Sequence, residues 1–562
     1  MLSAKRFAPG ILALILTFIA CLPQLHLCYS RGSDWNGSFA YFDTDELAYC
    51  SYENSLIDGR PRRNDPYNGV DNQNFETLFS VQFIPPYVLA GLAKLFHLSA
   101  SQTFVLLVPL IVISAVLVIY KLVLDITQNT SLAAASGVGV LCLGSLLVHY
   151  SDFLPFLRRY EPAFPFPICL LLFLLVWKSL TRPNYLWSIG AAFTFVILIY
   201  SYFFLWTAAA AWLLCILLLW FVARSSDRRI TLRTAACFVV IGGLGLIAYV
   251  WLLSQRASTM DQAQVLELTR TPDLLRVPEL VGTAVLLIIT FFAKTKKLEW
   301  REPRVLFVIS LALAPFVIFN HQILTGRSLQ PFHYTQFIAN YMVTLAVFLL
   351  SGILWPKLPR YVSAAVVIVS LTITLALSMQ VARTRLFENV LADQKRAVAL
   401  RIRDENNDRV VFASDAFMTM LIPTEARNPM LWSRYSYIFG NITAAERKTL
   451  FFKYLYYSGF DEAKFMQAMQ YDFTSRVEIF GAERTNPSLT LNHQEISPEE
   501  MRQAYQEYTN YCARFSRTDA ANPSLGYAIV LSNVDLNNLN RWYTHDAGER
   551  VGDFIIYKVA LK

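Results

Sequence analysis

The chain has 562 residues, 55% of them hydrophobic and 14% aromatic but only 16% charged, with a formal net charge of +8. Soluble domains carry about a quarter charged residues, so this balance excludes an ordinary soluble enzyme and points to lipid as the main solvent. The positive surplus does not signal nucleic acid, because most basic residues sit in short loops between apolar runs, where they orient a membrane protein.

The shortage of charge is uneven along the chain. From Pro9 to Val381 long apolar runs alternate with short polar loops, whereas Arg383 to Lys562 has the composition of a soluble protein. The expected fold is therefore an α-helical polytopic membrane unit over residues 1–382 and a soluble α/β domain of ordinary size over residues 383–562.

The first run, Pro9–Tyr29, follows Lys5-Arg6 like a signal peptide, but no small-x-small exit precedes Arg31. It is read as a retained helix entering from the cytoplasm, which puts the loop 30–80 outside. The next apolar piece, 81–98, is short, holds Pro85-Pro86 and ends on Lys94 and His97, so it is expected to lie along the interface. Ten further crossings follow: Thr103–Val123, Leu132–Tyr150, Phe164–Trp177, Tyr185–Tyr200, Tyr202–Val222, Thr234–Leu253, Val277–Ala293, Val305–Asn320, Phe337–Trp355 and Tyr361–Met379. That makes about eleven. Basic residues such as Arg224, Arg228, Lys296, Lys297 and Lys357 then fall in cytoplasmic loops, and counting 81–98 as a crossing inverts the bias. The N-terminus is expected in the cytoplasm and the C-terminal domain outside it, in a plasma membrane or bacterial inner membrane.

Cysteine adds little. Most of the eight thiols lie inside apolar runs and none has metal-type spacing, so inert buried thiols are expected. Cys28 and Cys50 flank the first loop, and their pairing is left open; Cys512 stands alone in the soluble part.

The chemistry concentrates in that first loop. Tyr41-Phe42-Asp43-Thr44-Asp45-Glu46-Leu47-Ala48-Tyr49 packs three carboxylates into four positions. A short helix follows, ending at Asp58-Gly59, with Leu47, Tyr49, Leu56 and Ile57 spaced to face a membrane surface. Clustered carboxylates can hold a divalent cation such as Mg or Mn, or take a proton from an acceptor hydroxyl. They can equally cap the helix and solvate the loop.

A membrane helix, an external D-E-x-x-Y on a helix ending in Gly, a Pro-containing interfacial helix and then a crossing resembles the N-terminal signature of GT-C glycosyltransferases. These polytopic enzymes use polyprenyl-phosphate sugars, as protein O-mannosyltransferases and aminoarabinose transferases do. The matching residues are Asp45, Glu46, Tyr49, Leu56 and Gly59, then Pro85-Pro86-Tyr87 and Leu95-Phe96. The resemblance implies a catalytic or metal-binding role for Asp45, a polyprenyl-phosphate-linked sugar donor, and a glycan, lipid or protein acceptor. The chain departs from the family in having Phe83-Ile84 before the prolines, where His or Glu is frequent, and in the extra acid Asp43, a second candidate metal ligand. Which carboxylate acts is left open.

Two later loops add candidates. Glu161 or Asp152 would supply a second acid, and Arg158 and Arg159 suit phosphate oxygens because guanidinium binds them bidentately. A run from Asn320 to Gln336 gathers His321, Arg327, His333 and Tyr334 between two apolar helices, and intramembrane polar density of this kind marks a substrate path. Arg327 is the candidate for the lipid phosphate and His333 for a phosphate or sugar contact. Snorkelling arginines and helix-capping histidines are the plainer readings.

In the C-terminal part a helix is expected over Arg383–Arg403 and another over Glu446–Gln470, with strands at Arg409–Asp415, Ser475–Phe480, Tyr527–Leu531 and Asp553–Val559. Asp415 at a strand end has no chemical partner, and Asn441-Ile-Thr443 is a sequon. The expected activity is sugar transfer from a polyprenyl phosphate at the outer membrane face. The rivals are a transporter or lipid flippase, which would place polar residues mid-helix and repeat internally, and a non-catalytic scaffold.

Overall fold

The computed structural model describes residues 2–147, 153–182, 184–485 and 494–562. In chain order the helices of the apolar part are α1 (Leu2–Ala20), α2 (Leu22–Arg31), α3 (Asp45–Ile57), α4 (Ile84–Phe96), α5 (Ala100–Thr127) and α6 (Thr130–Leu146). They continue as α7 (Pro165–Thr181), α8 (Leu186–Ile199), α9 (Phe203–Ala223), α10 (Ser225–Ser254), α11 (Val277–Lys294), α12 (Pro303–Ile318), α13 (Phe332–Leu354) and α14 (Arg360–Thr384).

Seven spans among the described residues are long and apolar enough to cross a membrane: α5, α9, α10, α11, α12 with its extension to Thr325, α13 and α14. The first apolar run becomes an eighth only as a pair, because α1 and α2 meet at 49°. Cys21 opens the second helix and Pro23 enters its first turn, where a missing N–H costs nothing. The three remaining expected crossings, α6, α7 and α8, hold 17, 17 and 14 residues. At about 1.5 Å per residue they fall short of a hydrocarbon core about 30 Å thick. Leu218, Val239, Ile247, Phe291 and Ile368 point outward from the long helices. Water is a poor neighbour for so much apolar surface, and the chain is an integral membrane protein. The thirteen-residue α4 likewise turns Tyr87, Val88, Leu95 and Phe96 outward.

Beyond α14 come α15 (Leu386–Asp404), then strand β3 (Val410–Ala413), numbered after a small hairpin of β1 (Leu266–Leu268) and β2 (Arg327–Leu329) in the membrane part. Helices α16 (Ala444–Tyr457), α17 (Glu462–Tyr471), α18 (Phe473–Phe480) and α19 (Pro498–Arg514) precede β4 (Leu525–Leu531), β5 (Tyr543–His545), β6 (Glu549–Val551) and β7 (Phe554–Leu561). The sheet runs β3-β4-β7-β5, with β6 also pairing β7; β3 and β4 are parallel and the other pairs antiparallel.

Local capping explains two departures from expectation. Ser475–Phe480 is helix rather than strand, because the Asp472 carboxylate accepts from the Thr474 and Ser475 amides and Gly481 closes the far end at φ 86°. The single helix expected over Glu446–Gln470 divides into α16 and α17, where Asp461 caps a new N-terminus through the Lys464 amide. Asp415 is also a cap, accepting from the Met418 amide and pairing with Lys395 at 2.8 Å. All eight cysteines are free thiols, Cys28 and Cys50 included.

The two parts are joined along the first loop. Asp393 of α15 is buried and accepts from the Ser38 hydroxyl at 2.7 Å, the Asn36 amide and the Arg31 guanidinium at 2.9 Å. Arg396 pairs with Glu425 at 2.8 Å, and Ser101 at the start of α5 donates to the same carboxylate. Consequently α3 does not lie on a membrane surface as its spacing suggested. It is enclosed, with ten of its thirteen residues buried. Phe79 and Phe439 stack at 4.2 Å over Tyr52.

Candidate active site

The first turn of α3 opens onto a cavity of about 400 Å³ at the junction of the membrane helices, the first loop and the C-terminal part. Asp43, Asp45, Arg158, Glu161 and His333 all line it. Those candidates, scattered over nearly 300 residues of sequence, are brought together. Asp152 and the end of the expected span at Tyr150 lie outside the described residues.

Asp45 is the centre of the arrangement. Its own amide donates to the Asp43 carboxylate at 2.9 Å, so Asp43 starts the helix. One Asp45 oxygen takes the Tyr435 hydroxyl at 3.2 Å, and the other faces Arg158 Nη1 at 3.4 Å. The side chain is 42% exposed and lines the cavity. This enclosure raises its pKa, as does repulsion from Asp43; Arg158, Arg434 and the Tyr435 hydroxyl pull the other way.

Arg158 is largely committed. Its Nε donates to the Glu161 carbonyl at 2.9 Å, Nη2 donates to the Tyr202 hydroxyl at 3.3 Å, and the guanidinium lies over the Phe337 ring at 4.9 Å. Glu161 is 2% exposed, and burial pushes its carboxyl up to about 8 against the pull of Arg158. At neutral pH burial thus keeps the proton on Glu161.

Glu46 and Arg159 turn away from the cavity. The Glu46 carboxylate accepts from the Phe42 amide at 2.8 Å, the Arg159 amide at 2.6 Å and the Arg159 guanidinium at 3.2 Å. Arg159 also donates to the carbonyls of Phe104 and Ala40. Both side chains are at most 3% exposed. They tie α3, the loop after α6 and α5 together, and offer no face to a phosphate.

Arg327 stands apart as well. It sits exposed in β2, paired with Leu268 of β1, and lines a second cavity of about 700 Å³ that shares Ala263, Tyr437 and Ala482 with the first. His333 packs against Phe204 at 4.5 Å and Phe337 at 5.2 Å, with its buried Nδ1 unpartnered among the described residues.

The C-terminal part supplies what sequence reasoning missed: Arg434, Tyr435, Tyr437 and Glu478 line the cavity from above. The first loop holds that stretch in place. The Met430 amide donates to the Tyr67 carbonyl at 2.8 Å, Asn68 donates to the Ser436 carbonyl, and Gln73 donates to the Phe439 carbonyl at 2.7 Å. Gly69 makes this approach possible: at φ 72°, a Cβ there would meet the Pro429 ring at 2.8 Å. The one signal in the sequence was the density of aromatics around an arginine in Trp432-Ser433-Arg434-Tyr435-Ser436-Tyr437.

Among the described residues, a metal at this site would find two carboxylates, Asp43 and Asp45. Asp43 and Asp45 each present a carboxylate oxygen to the same Arg158 nitrogen, at 3.9 and 3.4 Å. Among the described residues no three His, Cys, Asp or Glu side chains form a ligand group. Carboxylate oxygens are the hard ligands that a Mg or Mn ion takes.

Neither family models nor curated proteins match the sequence. Structural neighbours do exist, and they are GT-C membrane glycosyltransferases. The apo oligosaccharyltransferase of Archaeoglobus fulgidus aligns with a TM-score of 0.48 at 12% identity, covering 99% of this chain and 74% of that one. ArnT from Cupriavidus metallidurans, solved bound to undecaprenyl phosphate, gives 0.44 at 10% identity over 98% of both chains. The arabinofuranosyltransferase AftD from mycobacteria gives 0.45 at 10% identity, over 94% of this chain and 40% of that one.

Proposed function

We propose that this protein is a membrane glycosyltransferase of the GT-C type that moves a sugar from a polyprenyl-phosphate donor to an acceptor hydroxyl by direct, inverting displacement. The observation that carries the reading is a single cavity in which a carboxylate, Asp45, stands between an arginine and a tyrosine hydroxyl, with a buried protonated acid, Glu161, beside it.

Asp45 takes the proton of the acceptor hydroxyl as its oxygen forms a bond to the anomeric carbon. The bond from that carbon to the phosphate oxygen breaks, and its electron pair leaves on the polyprenyl phosphate. Arg158 faces the charge that develops there, and protonated Glu161 donates a hydrogen bond to it; donors already aimed at developing charge lower the barrier. One carboxylate base without a covalent sugar intermediate gives inversion. Glu46 and Arg159 position α3. His333, among the rings of Phe204 and Phe337, is assigned to the sugar or the first lipid unit. Asp43 and Asp45 are also the groups that would hold a divalent cation, whose contribution would be to neutralise leaving phosphate charge; no step of the transfer is routed through it.

In this reading the cavity faces the extracytoplasmic side and the N-terminus the cytoplasm, which the basic residues of the short loops support. The acceptor is a glycan, lipid or protein hydroxyl, and the second cavity, which opens beside the first, gives it room. The deciding experiment follows a labelled sugar from a polyprenyl phosphate into product with the purified full chain. Asp45→Asn is expected to reduce transfer about 10²- to 10⁴-fold, as for loss of a general base. Undiminished transfer by that variant removes Asp45 from the chemistry, and its absence in the unsubstituted protein with every acceptor class removes the reading.

A further inference from the structure

We infer that Arg434, supplied by the C-terminal part, is the residue that grips the phosphate of the lipid-linked substrate and of the lipid phosphate left after transfer. The inference rests on the transferase reading above and adds a residue to it. Of the charged groups lining the 400 Å³ cavity, two are arginines, Arg158 and Arg434. They differ in what they have left to give.

Arg158 has spent donors on the Glu161 carbonyl, the Tyr202 hydroxyl and Asp45, and its two faces are covered by Tyr49 and Phe337. Its place is fixed, which suits orienting Asp45. Arg434 is half-buried against the cavity wall with its guanidinium over the Tyr435 ring at 5.2 Å. Among the described residues it makes no hydrogen bond and no ion pair within 4 Å, so all five N–H donors are uncommitted. An enclosed guanidinium with unused donors lacks only an acceptor of two or more oxygens in its plane, which is what a phosphate presents.

The surroundings agree with an anion as that acceptor. Asp45, whose charge acts on Arg434, is already held by Tyr435 and faces Arg158, and neither it nor Asp43 or Glu478, the other carboxylates of the lining that feel Arg434, makes an ion pair with it within 4 Å. The backbone on either side is anchored, through Met430 to Tyr67 and through Ser436 to Asn68, so the donors are carried on a held segment rather than a loose one. Because Tyr435 follows directly, one dipeptide both orients the base and meets the phosphate.

The test uses the purified full chain and measures binding of a short-chain polyprenyl phosphate against the polyprenol of the same length, which cancels the contribution of the tail. The expected result is a strong preference for the phosphate, reduced about tenfold to a hundredfold in R434Q, the usual worth of hydrogen bonds to a charged partner. R434K, which keeps the charge but loses the fork, is expected to keep part of the preference, and Asp45→Asn to keep it fully while losing transfer. A phosphate preference in R434Q equal to that of the unsubstituted protein overturns the inference and leaves the transferase reading standing. Where R434Q fails to fold, an undiminished preference in R434K overturns it instead. No preference for phosphate in the unsubstituted protein overturns both.

Discussion

Tyr435 donates its hydroxyl to the Asp45 carboxylate at 3.2 Å across a separation of 390 residues. The bond crosses from the C-terminal part to the first turn of α3, so the orientation of the proposed base depends on a segment on the far side of the membrane helices in sequence. That hydroxyl also helps to hold the Asp45 pKa down against burial.

Tyr435→Phe should therefore act on the chemistry more than on the fold. One hydrogen bond is worth about 0.5–1.5 kcal/mol of stability, so thermal unfolding should move little. The acidic limb of the pH–rate profile should shift to higher pH, because Asp45 must be ionised to accept a proton and loses a group that favours its ionised form. An unmoved limb would show that Tyr435 only packs.

Glu161 predicts the opposite limb. With its carboxyl pushed up to about 8, the folded protein keeps a proton that the unfolded chain releases near 4.5. Folding then binds more protons than unfolding over that window, so this residue's contribution to stability declines as pH rises from about 4.5 to about 8. Transfer that uses the protonated acid should fall above about pH 8. Glu161→Gln should flatten that alkaline limb while retaining hydrogen-bond donation, and a limb of unchanged steepness would reassign it.

Glu46 and Arg159 should behave as a structural pair. Breaking a buried ion pair from one side costs about 3–5 kcal/mol, because the partner is left charged and dry. Glu46→Gln and Arg159→Met should each lower the unfolding temperature in detergent markedly, and the double variant should be less damaged than the sum of the two. Additive losses would mean that the residues act separately.

Metal dependence can be read from Asp43. A cation shared between Asp43, Asp45 and the donor phosphate predicts that chelation lowers transfer by the unsubstituted protein and that Asp43→Asn raises the Mn concentration needed for half-maximal rate. Transfer that is indifferent to chelator and to Asp43→Asn would leave Arg158 as the cation that faces the acidic pair.

The acidic turn was legible in the sequence as three carboxylates in four positions beside a membrane helix, and Asp43, Asp45, Arg158, Glu161 and His333 do converge. Glu46 and Arg159 looked equally chemical, yet their direction is set by a three-dimensional contact that no spacing encodes. Arg327 shows the same limit, since its loop forms a hairpin with residues some sixty positions earlier. Apolar runs marked the helices of the membrane part, but not the break at Cys21 nor the shortness of α6, α7 and α8. Arg434 and Tyr435 escaped notice because a loop of aromatics in a soluble-looking stretch reads as core until its neighbours are known.

Strand β4 has a consequence for taking the molecule apart. Its alternate residues serve two hydrophobic cores: Tyr527 and Ile529 pack with the membrane part, Ala528 and Val530 with α16 and its surroundings. A sheet used as a party wall has no spare side. Cutting the gene between α14 and α15 would strip one room of its wall and expose the other to water, and grafting the C-terminal part onto a different membrane unit would require carrying residues 30–80 with it. The smallest transferable piece is therefore the membrane unit and the C-terminal part together.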